Sequence, residues 1–204
     1  PAGQVSPSAR PAVGRRLLAA LLAVAAVAAW SPADLAARGL SAPAGSGLRP
    51  LARPGDRALG FALKDLSGRT VAFRPGGGRP ALLVFWSAFC PLCRELVPVL
   101  DNLAQRHAGK ISLYTVNLDG PRFSNAVASF VRETRLKGPV LLDDLRNDLF
   151  IASDPYGIQK TPTAVLVDGA GTVRGVFPAD EARRLASGFE RFVAELQAPP
   201  GGRQ

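Results

Sequence analysis

The chain has no methionine, one histidine and two cysteines in 204 residues. Each scarcity excludes something. Without a methionine, the true start is expected upstream of Pro1. Two cysteines cannot staple a small disulfide-rich fold. With the lone His107 they also fall short of the four protein ligands that a structural zinc site usually takes. There is a single long apolar run, which excludes a multi-span membrane protein. Positive charge is not gathered into a patch either. The net charge is +9, yet residues 1–60 hold 7 basic and 2 acidic side chains, and residues 61–204 hold 18 and 14. The later basic residues are scattered, without interleaved aromatics, so no nucleic-acid partner is expected. What the chain does have is apolar residues, 47% of the total, enough for a core and too many for a chain disordered throughout.

Arg10, Arg15 and Arg16 precede the uncharged run Leu17–Trp30. As a helix its 14 residues would span about 21 Å, short of the roughly 30 Å hydrocarbon core. A basic leader before such a run reads as a signal peptide, with small-residue cleavage patterns at Ala26-Val27-Ala28 and Val27-Ala28-Ala29. The alternative is an uncleaved single membrane anchor in a thinned bilayer. In both cases the rest of the chain lies outside the cytoplasm, in a periplasm or beyond, either tethered to the membrane or secreted. The expected organisation is residues 1–30 as signal or anchor, 31–57 as a flexible linker rich in Pro, Gly, Ala and Ser, 58–197 as the folded domain, and 198–204 as a disordered tail.

Within the domain, Phe61-Ala62-Leu63 and Thr70–Phe73 predict a hairpin turning near Gly68. Ala81–Trp86 is a continuous apolar run of the kind found in a buried central strand. Pro91–His107 has helical spacing, with Leu92, Leu96, Val99, Leu100 and Leu103 on one side. Ile111–Leu118 predicts a second buried strand, Phe123–Leu136 an amphipathic helix, and Val140–Leu142 a short strand. Asp144–Ile151 is expected to form a helical turn or two. Two strands, Thr163–Val167 and Thr172–Phe177, flank Asp168-Gly169-Ala170-Gly171, and Asp180–Leu196 closes the domain as a helix. This order implies an α/β fold with a mixed sheet.

The cysteines stand at Cys90 and Cys93, between a buried strand and a helix. Two intervening residues at a helix start bring the sulfurs within disulfide reach. Cys90 would occupy the N-cap, where free N–H groups and the helix dipole stabilise a thiolate, and Pro91 suits the first helical position. Cys93, one turn in, would be more buried. Cys90 is therefore the expected attacking thiolate and Cys93 the resolving thiol of a thiol–disulfide exchange. An inert thiol pair, a zinc site and a purely structural disulfide are the competing readings.

The stretch Val84-Phe85-Trp86-Ser87-Ala88-Phe89-Cys90-Pro91-Leu92-Cys93-Arg94-Glu95-Leu96-Val97-Pro98 resembles the active-site segment of exported thioredoxin-like proteins, the TlpA/ResA-type and the MauD-type. The likeness runs from about Phe61 to Val176 and includes Asn117-Leu118-Asp119 and Tyr156–Thr163. It implies a thioredoxin-like mixed sheet flanked by helices, with an N-terminal β-hairpin extension. It also implies a cis Pro162 beside the cysteines and a Thr161 backbone that meets a bound substrate strand. Trp86 would flank the cysteines as an aromatic wall, or else pack in the core. Two departures matter. The buried aspartate that thioredoxins place six residues before the first cysteine is Val84 here. The glutamate that some cytochrome-maturation members carry three residues after the second cysteine is Leu96, and Glu95, one residue early, is a possible acid or base. The Leu92 N–H is free to stabilise the Cys90 thiolate.

The resemblance implies a protein thiol–disulfide oxidoreductase whose only redox group is the Cys90–Cys93 pair, with no further cofactor or metal. Its partners would be protein thiols and disulfides, a membrane electron-transfer partner, and the membrane itself through the N-terminal segment. The clients are either apocytochrome c thiols, in cytochrome c maturation, or, as in MauD, disulfides of methylamine dehydrogenase. A non-catalytic binding module on the same fold is the alternative from another class.

Overall fold

A computed structural model describes residues 50–179 and 181–197. The run Leu17–Trp30, the tail from 198 and Asp180 lie outside the described residues; among the described residues no helix is long and apolar enough to cross a membrane.

The central strand β3 (Ala81–Trp86) is buried at every position. Its alternating side chains supply two cores. Leu82, Val84 and Trp86 pack with the helices on one face, while Ala81, Leu83 and Phe85 join Phe61, Phe73 and Tyr156 on the other. That double burial is why the strand reads as an unbroken apolar run. It pairs in parallel with β4 (Ser112–Asn117) and antiparallel with β8 (Thr163–Val167), whose partner is β9 (Val173–Pro178). Strand β4 pairs with β5 (Val140–Leu142), and the hairpin of β1 (Phe61–Asp65) and β2 (Thr70–Phe73) adds to β5. The sheet order is β2-β1-β5-β4-β3-β8-β9. The mixed sheet and the leading hairpin are those anticipated.

Helix α1 (Pro91–Arg106), α2 (Ser124–Thr134) and α3 (Glu181–Gln197) contribute to the core that holds Trp86. The buried apolar residues of α1 are Cys93, Leu96, Val97, Leu100, Leu103 and Ala104, a period of three to four, with Asp101 buried among them. This stripe is shifted from the expected one, since Val99 is exposed and Val97 is inward. His107 caps α1 and places Nε2 2.7 Å from Glu190 of α3, so it braces two helices instead of serving chemistry.

Two expectations need correction. Asp144–Ile151 is not helical. Leu145–Arg146 (β6) pairs with Leu149–Phe150 (β7), and Asn147 and Asp148 turn the chain with positive φ of 53° and 62°. Asn and Asp tolerate this left-handed geometry, and two such residues make a tight hairpin cheaper than a helix. The linker was expected to run to Arg57. The chain is already bound to the domain at Ala52, whose N–H donates to the Tyr156 carbonyl at 3.0 Å, and Gly55 donates to Val173 at 2.8 Å. The Tyr156 hydroxyl then latches Leu59 in both directions, donating to its carbonyl at 2.8 Å and accepting its N–H at 3.0 Å.

The β1–β2 turn is organised by one carboxylate. Asp65 accepts the Ser67 hydroxyl at 2.6 Å, the Ser67 and Arg69 N–H groups at 2.8 and 3.0 Å, and the Arg69 guanidinium at 3.0 Å. The Ser67 hydroxyl leads these donors in holding the Asp65 carboxyl at about 2, below its ordinary 3.8, against a smaller opposing effect of burial. A depressed carboxyl pKa stabilises the fold above the unfolded value, and that contribution is lost as pH falls through the folded one. Urea midpoints measured across this range should therefore fall between pH 3.8 and 2 more steeply in the wild type than in Asp65→Asn. Identical pH slopes in the two proteins would refute the role of this turn.

Candidate active site at the mouth of helix α1

Strand β3 ends at Trp86, and the chain reaches α1 through Ser87, Ala88, Phe89 and Cys90. Cys90 is the N-cap, with extended backbone at φ −92° and ψ 116°, and Pro91 opens the helix. A helix start leaves its first N–H groups without intrahelical acceptors. One of them, the Cys93 N–H, donates to Cys90 Sγ at 3.2 Å. The donor is thus Cys93 and not Leu92, because the N-cap geometry aims the cap side chain at the third helical N–H. The Cys90 thiol in turn donates to the Thr161 carbonyl at 3.4 Å. The Thr161–Pro162 peptide bond is cis.

The two thiols stand in different surroundings. Cys90 is half-buried, whereas Cys93 is fully buried among Trp86, Val97 and Leu100. Burial pushes the Cys93 thiol up to about 12, the neighbouring Cys90 adds to this, and the Ser87 backbone and Thr161 side chain partly offset it. At neutral pH Cys93 is thus held as the protonated thiol.

Of the two places expected for Trp86, it takes the one in the core. Its indole has no exposed surface, lies 4.4 Å from Phe130 between ring centroids, and has no acceptor for its Nε1–H among the described residues. Arg94 completes this stack from outside. Its guanidinium lies 5.2 Å from the Phe130 ring and pairs with Glu133 at 2.6 Å. The exposed aromatic next to Cys90 in the chain is Phe89. Val84 is fully buried in the core that holds Cys93 and offers no proton acceptor. Glu95 sits two residues from Cys93, about 200° around the helix. It is exposed and pairs with Arg183 at 2.7 Å, away from the buried thiol.

Sequence reasoning gave no role to Asp119, and the structure gives it one. Its carboxylate accepts the Ser87 hydroxyl and the Ala88 N–H, both at 2.7 Å, together with Asn117 Nδ2 at 2.8 Å. Ser87 Oγ accepts the Phe89 N–H at 3.1 Å. The loop that delivers Cys90 is thereby tied to the end of β4. The signal was present in Asn117-Leu118-Asp119, but only the parallel pairing of β3 and β4 brings it beside Ser87.

The difference between the sulfurs has a direct readout. Brief iodoacetamide treatment of the reduced protein near pH 8 should label Cys90 alone, as peptide mass mapping would show. Labelling of Cys93 before Cys90 would contradict the assignment.

Residues 54–176 match the model of the AhpC/TSA family. The chain is 28% identical over 146 residues to the thiol-disulfide oxidoreductase ResA of Halalkalibacterium halodurans, covering 71% of this chain and 80% of that protein. The crystal structure of StoA from Bacillus subtilis is similar at a TM-score of 0.51 and 26% identity, covering 66% of this chain and 98% of that one. The thioredoxin domain of a thiol-disulfide oxidoreductase from Bacteroides vulgatus shares the fold at a TM-score of 0.59 and 23% identity, over 70% of this chain and 99% of that one. With more than half its length matched by the family model and its sheet and helices arranged as in the thioredoxin domain, the chain belongs to the AhpC/TSA family of thioredoxin-like proteins.

Proposed function

We propose that the protein is an extracytoplasmic thiol–disulfide oxidoreductase that exchanges disulfides with protein clients through Cys90 and Cys93. The observation that carries this reading is the Cys90 sulfur itself. It is reachable from solvent, capped by a helix N–H at 3.2 Å, and set 3.4 Å from the Thr161 carbonyl. The similarity to the thiol-disulfide oxidoreductase ResA supports the same chemistry.

In the reducing direction, the Cys90 thiolate attacks one sulfur of a client disulfide. The client S–S bond breaks, a Cys90–client disulfide forms, and the other client sulfur leaves as a thiolate that takes up a proton. Cys93 then loses its proton and attacks Cys90, releasing the second client thiolate and closing the Cys90–Cys93 disulfide. Two electrons pass from the protein to the client. In an oxidising periplasm the dithiol must be regenerated by a membrane electron donor. The sulfur pair carries the redox change, so no cofactor or metal is required. The Thr161 backbone and Pro162 are assigned to the client strand that reaches Cys90. Glu95 is assigned a surface role and not proton transfer, since Arg183 holds it on the outer face.

The likeness to ResA favours apocytochrome c thiols as clients over the disulfides of methylamine dehydrogenase; the segment around Cys90 resembles both groups alike. The basic leader and the run Leu17–Trp30 support export, with the domain held at the membrane or released.

Insulin reduction by the wild-type protein tests the activity. Cys90→Ser should reduce turnover to background. Cys93→Ser should accumulate a mixed disulfide on Cys90, and mass spectrometry of that adduct would identify the client. Full turnover by Cys90→Ser would overturn the enzyme reading and leave a binding module.

A further inference from the structure

Phe89 and Phe123 are the two large aromatic side chains left exposed among the described residues, at 63% and 46%. They come from different loops and touch each other edge to face, with centroids 5.6 Å apart and planes at 84°. Phe89 immediately precedes the attacking cysteine. Phe123 ends the short 3-10 turn Pro121–Phe123 that follows β4.

Their meeting is fixed by polar groups beneath them. Asp119 binds Ser87 and Ala88 on the Phe89 side, and Asn117 Oδ1 accepts the Asp119 N–H at 3.0 Å on the Phe123 side. Gly120 then turns the chain with φ 72°, and a Cβ there would lie 2.9 Å from the Asp143 carbonyl. The Phe123 N–H closes the turn on the Gly120 carbonyl at 3.2 Å. Aromatic side chains gain free energy when buried, and Phe89 and Phe123 forgo that gain at the surface. A rigidly held, exposed aromatic pair beside a reactive sulfur is suited to receive another apolar group.

Resting on the exchange reaction described above, we propose that Phe123, clamped against Phe89 through Asp119, is a specificity-determining residue that receives a large apolar side chain next to the client's reacting cysteine. The occupant is a segment of client polypeptide, because the platform is continuous with Cys90 and a client must lie across it while its sulfur is bonded there. Arg122 precedes Phe123 and Lys160 precedes Thr161 in the chain; both are exposed and make no ion pair among the described residues, so a basic neighbour to the client cysteine is disfavoured.

The test uses the full chain in its reduced form and two peptide disulfides, one with leucine on both sides of its cysteine and one with serine. Wild type should exchange with the leucine peptide about fivefold to tenfold faster in kcat/KM, in line with partial burial of one apolar side chain. Phe123→Ser should bring that ratio close to one. Leu66→Ser, which removes an exposed apolar side chain from the distant β1–β2 turn, should leave the ratio at its wild-type value. Equal wild-type rates for the two peptides overturn the proposal without any variant, as does an unchanged ratio in Phe123→Ser. If neither peptide exchanges at Cys90, the exchange reaction itself fails and this assignment falls with it.

Discussion

The first turn of α1 presents amide N–H groups that no helical carbonyl can satisfy, and the sulfur of Cys90 is the group set before them. The Cys93 N–H bond to that sulfur is charge-assisted once the thiol ionises, which strengthens it. Everything else at this end of the molecule serves to keep that geometry. Pro91 starts the helix without adding another unsatisfied donor, Trp86 and Phe130 support the first turn from below, and the Asp119 carboxylate fixes the loop that brings Cys90 to the cap. A sulfur displaced from this position would lose its donor and its contact with Thr161 together.

The part of the fold governed by local patterning was legible in the sequence. Ala81–Trp86 is apolar at every position because both faces of β3 are covered, and the cysteine spacing with Pro91 marks the start of α1. The missed features depend on pairing across distance. Leu145–Phe150 is short and holds no helix-breaking residue, so its hairpin became evident only through the left-handed Asn147 and Asp148. The stripe of α1 was misplaced by one valine because Val97 and Val99 are chemically alike, and only the position of the sheet decides which is buried.

The site shows the same division. Cys90 and Cys93 were assigned their order from helix-end physics, and the asymmetric burial of the two thiols agrees with it. Trp86 took the core alternative, and the exposed aromatic next to Cys90 is Phe89, to which no role was given. An aromatic at the end of a buried strand follows the strand's alternation into the core, while one in the following loop has no such constraint. Asp119 and Ser87 lie 32 residues apart in sequence. Their hydrogen bond exists because β3 and β4 run parallel and end together, a relation no local window contains.

Val84, fully buried in the core that also holds Cys93, has a kinetic consequence for the exchange proposed above. A carboxylate at that position would offer the second thiol an internal place to leave its hydrogen. With a hydrocarbon floor, deprotonation must be completed towards the mouth, past the client still attached there. The second half of each cycle thus becomes a dwell period.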